Sequence, residues 1–238
     1  MPAMNIVVCV KQVPDTEVER TLKPGEGTLD RDSVDGVINV LDEYAIEEGL
    51  KIAETHGGEV TILSMGPDKA AESIRKALSM GPDKAVHLVD DALAGSDALS
   101  TSLALAEALK LIGFDLVICG SESTDASTGI LPAMLAERLG VPQLTLASKV
   151  EIDGSSVTIR RASDDGYAVV TGSLGASRAV TDAGWGTRTS SRSGRPARPS
   201  PRSSTSRSGR HADLQDHHRH QQGRRGPDLR GRRFRRGR

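Results

Sequence analysis

FDLVICGSESTDASTGILPAMLAERLG, Phe114 to Gly140, passes from an apolar run at Leu116–Cys119 through a polar loop into a helical pattern. The apolar run suits a strand buried on both faces, and the last turns suit a helix packed on it. Two readings of the loop stay open. Asp125 or Ser127 is an ordinary helix cap. Alternatively the loop cradles a phosphate: backbone N–H groups at a helix N-terminus attract anions, Gly129 admits a close approach, and Ser127 and Thr128 add hydroxyls. Neither a Walker lysine motif nor a GxGxxG is present, so a P-loop and a standard dinucleotide fingerprint are excluded.

The same alternation extends to both sides. NIVVCVKQV (Asn5–Val13) reads as a buried strand. NVLDEYAIEEGLKIAETHGG places Leu41, Ala45, Ile46, Gly49, Ile52 and Ala53 at helical spacing, with Asn39 as N-cap and Gly57 as stop. EVTILSMG is a strand. PDKAAESIRKALSMG is a helix with Pro67 at its start, KAVHLV a strand, and SDALSTSLALAEALKLIG a helix capped by Ser96 or Asp97. ASKVEIDGSSVTIRR predicts a hairpin around Asp153–Gly154, and GYAVVTG a further strand. Strand–helix alternation with short connections predicts an α/β fold, a doubly wound, mostly parallel sheet with flanking helices. Ligands of such sheets sit outside the carboxyl ends of the strands. Three loops converge there: after Val13, around Gly66–Pro67, and Gly120–Gly129.

Aromatic residues make up 2% of the 238 residues, so the core must be aliphatic. No apolar run reaches the length of a membrane span. The start, MPAMNIVVCVKQVPD, lacks a basic region and a cleavage-like site, so a cytoplasmic chain is expected. Cys9 and Cys119 sit in apolar runs more than a hundred positions apart, which points to inert thiols without a disulfide. His87 in a strand and His56 at a helix end read as structural. No nucleophile, triad or metal cluster stands out.

The net charge of −1 conceals a division. From Thr187 onward there are 16 Arg, no Lys, 3 Asp and no Glu, about +13, against about −14 for the residues before. Arg, Ser, Gly and Pro dominate this tail, which cannot bury a core and is expected to be disordered. Residues 1–182 then form the domain and 183–238 a low-complexity tail. Nucleic-acid binding is not expected, because Phe234 alone could stack on a base and no RGG or RS register repeats. HHRH is too short a signal for a metal site. These are the residues that a GC-rich gene yields out of frame, with the change near residues 171–187.

VVCVKQVPDT, NVLDEYAIEEGLKI, LSMGP, IRKALSMGPDKAVHL, DLVICGSESTDASTG and LGVPQLTLASKVEI follow one another in this chain. In this order they resemble the β subunit of electron transfer flavoprotein, over about Asn5 to Asp182. The resemblance implies an adenine-nucleotide alpha-hydrolase-like fold. It implies a partner α subunit carrying most contacts to a redox-active FAD, and a structural AMP in this subunit, replaced by a second FAD in bifurcating relatives. It implies an electron carrier and not an enzyme. Electrons would come from acyl-CoA dehydrogenases and other flavin dehydrogenases of fatty acid oxidation and pass toward the membrane quinone pool. Cys9 matches the end of the first strand, against the adenine. Asn39, Val40, Leu41 and Asp42 match a segment lining the nucleotide, and Met65 faces it from the next strand. Asp125, Ser127, Thr128, Gly129, Ile130 and Ala133 match the phosphate loop and its helix. Thr16 and Leu41 fall near the approach to the partner's flavin. The family's recognition loop, with its Pro-Arg-Tyr run, and the arm that grips the α subunit have no counterpart in the tail. Two alternatives remain: a stand-alone adenine-nucleotide-binding module, and a defective β subunit that does not assemble.

Overall fold

The computed structural model describes residues 3–163, 166–173, 179–183 and 233–237. Its centre is β1 (Met4–Cys9), whose residues alternate between two cores. Ile6 and Val8 face one helical layer, and Val7 and Cys9 face the other. That is why the run is apolar throughout: a strand covered on both faces has no solvent side. Parallel neighbours follow from βαβ crossovers. α1 (Val40–His56) leads to β4 (Gly58–Met65), α2 (Ala71–Ser79) to β5 (Lys84–Val89), and α3 (Ala98–Ile112) to β6 (Leu116–Gly120). β4 and β6 flank β1 on opposite sides, both parallel to it.

α1 and α2 pack on one face of the sheet, with Ile46, Leu50 and Ile74 against Ile6, Val8, Ile62 and Ile118. α3 and α4 (Leu131–Leu139) cover the other, with Leu105, Leu109 and Leu135 against Val7, Leu63, Leu88 and Val117. Each such side chain fully removed from water contributes about 1.5–3 kcal/mol. The winding direction reverses between β1 and β6. Their carboxyl ends thus form the crevice where open α/β sheets bind ligands.

Several boundaries differ from expectation. The run Asn5–Val13 is two strands, because after Cys9 the chain leaves the sheet. β2 (Gln12–Pro14) instead pairs antiparallel with β3 (Gly36–Ile38), just before α1. The helix with Pro67 begins as a 3-10 turn, Asp68–Ala70, before α2. Asp97, not Ser96, caps α3 by accepting the Ser100 N–H at 2.8 Å. The helix after β6 starts only at Leu131, with Pro132 in its first turn, so Ser127–Ile130 are loop. Neither Asp125 nor Ser127 caps it; Ile130 occupies that position without a side-chain bond.

The hairpin forms as expected, from β8 (Ala147–Asp153) and β9 (Ser156–Ser163). β10 (Gly166–Ser173), the GYAVVTG strand, joins it as a third antiparallel strand. β11 (Ala179–Ala183) enters the main sheet, parallel, between β6 and the short β7 (Gln143–Leu144). β12 (Arg233–Gly237) pairs antiparallel with the edge strand β5. Among the described residues the main sheet thus runs β12-β5-β4-β1-β6-β11-β7. Of the tail 183–238, the described residues are Ala183, paired with β6, and Arg233–Gly237, paired with β5. Residues 184–232 and 238 lie outside the described residues.

Candidate functional site

At the crevice, the chain departing from β1 and the chain departing from β6 are bound together by two carboxylates. Asp42, in the first turn of α1, is buried. It accepts the Lys11 backbone N–H at 2.8 Å, the Asn39 side-chain amide at 3.0 Å, and the Gly120 N–H. The bond to Lys11 takes up an N–H that the sheet no longer pairs. Burial pushes the Asp42 pKa up to about 7, against the pull of these three donors and of the Lys11 charge. Gly120 is required here by space. A Cβ on it would fall on Asp42 Oδ1 and within 2.9 Å of the Leu41 carbonyl carbon.

Asn39 is 1% exposed and ties α1 to the loop after β6. Its amide donates to the Glu122 carbonyl at 2.9 Å, and its carbonyl accepts the Thr124 N–H at 3.2 Å. It stands at the N-cap position of α1, as expected, but makes no side-chain cap. Its polar atoms serve the neighbouring loop instead.

The second carboxylate, Asp125, has no exposed side-chain surface. Lys11 Nζ donates to its Oδ1 at 2.7 Å and to Ser123 Oγ at 3.2 Å. Arg31 donates to its Oδ2 through Nε at 2.9 Å and Nη2 at 2.7 Å. Burial alone would raise the Asp125 pKa, but the bonds from Lys11 and Arg31 outweigh it and hold the carboxyl below its usual value. Two cations thus converge on this one carboxylate at the foot of the loop. Arg31 also brings in the excursion between β2 and β3. That excursion is fastened elsewhere by Lys69, which donates to the Arg31 carbonyl and pairs with Asp32.

The rest of the loop doubles back on itself. Ser127 has φ +46° and Gly129 φ +60°. Backbone reversals of this kind bring successive N–H groups to one side, and the N-terminus of α4 follows at Leu131. Ser127 donates its N–H to the Ser123 carbonyl at 2.8 Å, which closes the turn beneath. Thr128, Gly129 and Ile130 are exposed. Thr124 Oγ1 is buried with no hydrogen-bond partner among the described residues, a polar atom that a bound group would satisfy. The donors, the two cations and the orphaned hydroxyl fit a phosphate-bearing ligand.

A pattern of the Electron transfer flavoprotein domain matches residues 26–176. The electron transfer flavoprotein subunit beta of Mycobacterium bovis is 50% identical over 184 residues, 75% of this chain and 69% of that one. The chain belongs to the electron transfer flavoprotein beta subunits. The subunit beta of Clostridium acetobutylicum is 46% identical over 167 residues, 70% of this chain and 64% of its own length. Protein FixA of Azorhizobium caulinodans is 43% identical over 175 residues, 70% of this chain and 62% of its own.

In this flavoprotein subunit, Asn39, Asp42 and Asp125 come together in one bonded network. Ser127, Thr128, Gly129 and Ile130 form the exposed loop that the network anchors, and Ala133 is half-buried in α4. Cys9 and Met65 end β1 and β4 on the same edge of the sheet. Val40 is exposed and Leu41 half-buried at the start of α1; Thr16 is exposed on the excursion. Reading the sequence missed Lys11 and Arg31, and reached Gly120, Ser123 and Thr124 only as part of the Gly120–Gly129 loop. Only Lys11 carried a signal, as the first charge after five apolar residues. Among the described residues no helix is long and apolar enough to cross a membrane, and no group of three or more His, Cys, Asp or Glu could hold a metal.

Proposed function

We propose that this β subunit holds AMP in the crevice between β1 and β6 and acts as one half of a two-subunit electron carrier in the cytoplasm. Its partner is an α subunit that carries most contacts to FAD. Acyl-CoA dehydrogenases and other flavin dehydrogenases are the donors, and the quinone pool is the destination. The observation that carries the reading is the anchored loop Glu122–Ile130, with Lys11 and Arg31 at its foot, an orphaned Thr124 hydroxyl and a helix N-terminus behind it. Its position at the winding reversal supports the same conclusion.

In this reading the backbone of Ser127–Gly129 takes the phosphate. Asn39 and Asp42 keep the loop in place, Cys9 and Met65 floor the adenine, and Ile130 and Ala133 lie along the helix start. Thr16 and Leu41 face the partner's flavin. FAD supplies the one- and two-electron chemistry, and the protein positions it and excludes competing reactions. No acid, base or nucleophile of this chain takes part, so the subunit is a carrier and not an enzyme. Residues 1–182 act as the nucleotide-binding domain; the Arg-rich remainder is an out-of-frame replacement for the family's recognition loop and arm.

The test is to denature the purified chain and chromatograph what it releases. One equivalent of AMP is expected, with a colourless isolated subunit. Thr128→Glu is expected to weaken AMP at least tenfold, since it sets a carboxylate against the phosphate. A folded, stable chain without nucleotide would count against the reading. A stoichiometric yellow chromophore would replace AMP by a second FAD.

A further inference from the structure

Cys9 and Cys119 are far apart in sequence, yet the sheet sets them side by side. β1 and β6 run parallel with Ile6 opposite Leu116, Val7 opposite Val117 and Val8 opposite Ile118. One further step along both strands places Cys9 beside Cys119, at the carboxyl ends. Their side chains share a face, because both belong to the core under α3 and α4 together with Val7 and Val117. They are 7% and 3% exposed, and neither is in a disulfide. Adjacent strands lie about 4.8 Å apart. A disulfide accepts Cα separations of roughly 4.4–6.8 Å.

We propose that Cys9 and Cys119 form a redox-sensitive dithiol, closed to an intrachain disulfide by peroxide and reopened by a thiol reductant, and that its closure weakens the nucleotide site above it. In the first step one sulfur attacks a peroxide oxygen, the O–O bond breaks, and a sulfenic acid and one water result. In the second step the other sulfur attacks the sulfenyl sulfur, the S–O bond breaks, the S–S bond forms, and a second water leaves. The two thiols lose two electrons and two protons, and the peroxide becomes two waters. Two reductant thiols reverse the bond and leave as their own disulfide.

The link to the site is mechanical and rests on the nucleotide reading given above. Paired side chains on parallel strands project side by side, whereas a relaxed disulfide holds its Cβ atoms about 3.8 Å apart. Closure therefore draws the two strand ends together. Gly120 follows Cys119 directly, and Lys11 lies two residues past Cys9. Their N–H groups are two of the donors that hold Asp42. Moving them disturbs Asp42, then Asn39, then the loop at Glu122–Thr124 that Asn39 grips.

The experiment treats the full chain with hydrogen peroxide or diamide, blocks remaining thiols in denaturant, and maps peptides by mass spectrometry. The expected product joins the Cys9 and Cys119 peptides with the loss of two hydrogens, while circular dichroism stays unchanged. It reverts with dithiothreitol and does not form in Cys9→Ala or Cys119→Ala. AMP titration of the oxidised chain is expected to be about tenfold weaker than of the reduced chain, with no such change in either variant. If peroxide and diamide leave both thiols unjoined in the folded chain, or oxidise each separately to sulfinic acid, the dithiol is refuted. The wild-type peptide map decides this even if a variant folds poorly. If the disulfide forms and AMP binds equally, the coupling is refuted. If the reduced chain binds no AMP, the nucleotide reading fails while the disulfide stands on its mass.

Discussion

Asp42 is the residue on which the crevice turns, and its burial has a measurable sign. Its pKa rises in the folded state to about 7, whereas the unfolded chain has an ordinary Asp value near ~4. The folded state therefore keeps a proton that the unfolded state loses. The contribution of Asp42 to stability is fully present below about pH 4 and is lost as the pH rises toward 7. Across that window it changes by about 1.4 kcal/mol per pH unit, on the order of 4 kcal/mol in all. Urea unfolding of the wild type and Asp42→Asn from pH 4 to 8 is expected to show this as a difference in slope. Parallel curves would mean that Asp42 ionises normally. Asp125 has the opposite sign: its carboxyl is held low, so its contribution is present above about pH 4 and is lost as the pH falls further. Its bond to Lys11 is expected to show a coupling of roughly 1 kcal/mol in a cycle of Lys11→Met and Asp125→Asn, since Lys11 is 40% exposed and partly screened. A coupling near zero would reduce the pair to an ordinary surface contact.

At the scale of elements, α1 lies close on the sheet because Gly49 lets it. A Cβ on Gly49 would meet Val8 Cγ2 at 3.1 Å and Ile6 Cγ2 at 3.5 Å. Gly49→Ala gains about 1 kcal/mol of helix propensity and loses a similar amount to crowding, so its melting temperature is expected to change little. Gly49→Leu must push the helix off β1 and β6. A loss of roughly 2–3 kcal/mol is expected, with weaker AMP binding, because Asn39 and Asp42 travel with the helix. Normal AMP affinity in a destabilised Gly49→Leu would separate helix seating from the site. The strands and helices were legible because aliphatic runs and 3.6-residue spacing are local signals. Gly57 ends α1 as read, and Asp153–Gly154 turn the hairpin as read. The break after Cys9 was not legible, because it depends on Asp42, which takes the Lys11 N–H from 31 positions away. Arg31 gave no signal, since it lies in a polar excursion and meets Asp125 only after 94 intervening steps of chain. The neighbours of β10 were not legible either, because a strand's period shows its faces, not its partners.

For the molecule as a whole, the two ends have opposite character, with about −14 before Thr187 and about +13 after it. Interfaces draw most of their energy from a few well-packed anchors, and from Thr187 onward the chain has a single aromatic residue, Phe234, to offer as one. Co-expressed with an α subunit, this chain is expected to co-purify far less than one whose reading frame is restored near residues 171–187, and to accept no electrons from a dehydrogenase. Equal recovery with full FAD content would make the Arg-rich tail a working part. The crevice meets the region near residues 171–187 at one place, where β11 pairs with β6 through Asp182 opposite Cys119 and Ala183 opposite Gly120. Every residue assigned to it lies at or before Ala133, and β1 and β6, which frame it, are both complete by Gly120. On the nucleotide reading proposed above, AMP binding to the folded chain would stabilise it by mass action. On the same reading, a chain that fails to pair with an α subunit would still be protected from degradation by its nucleotide.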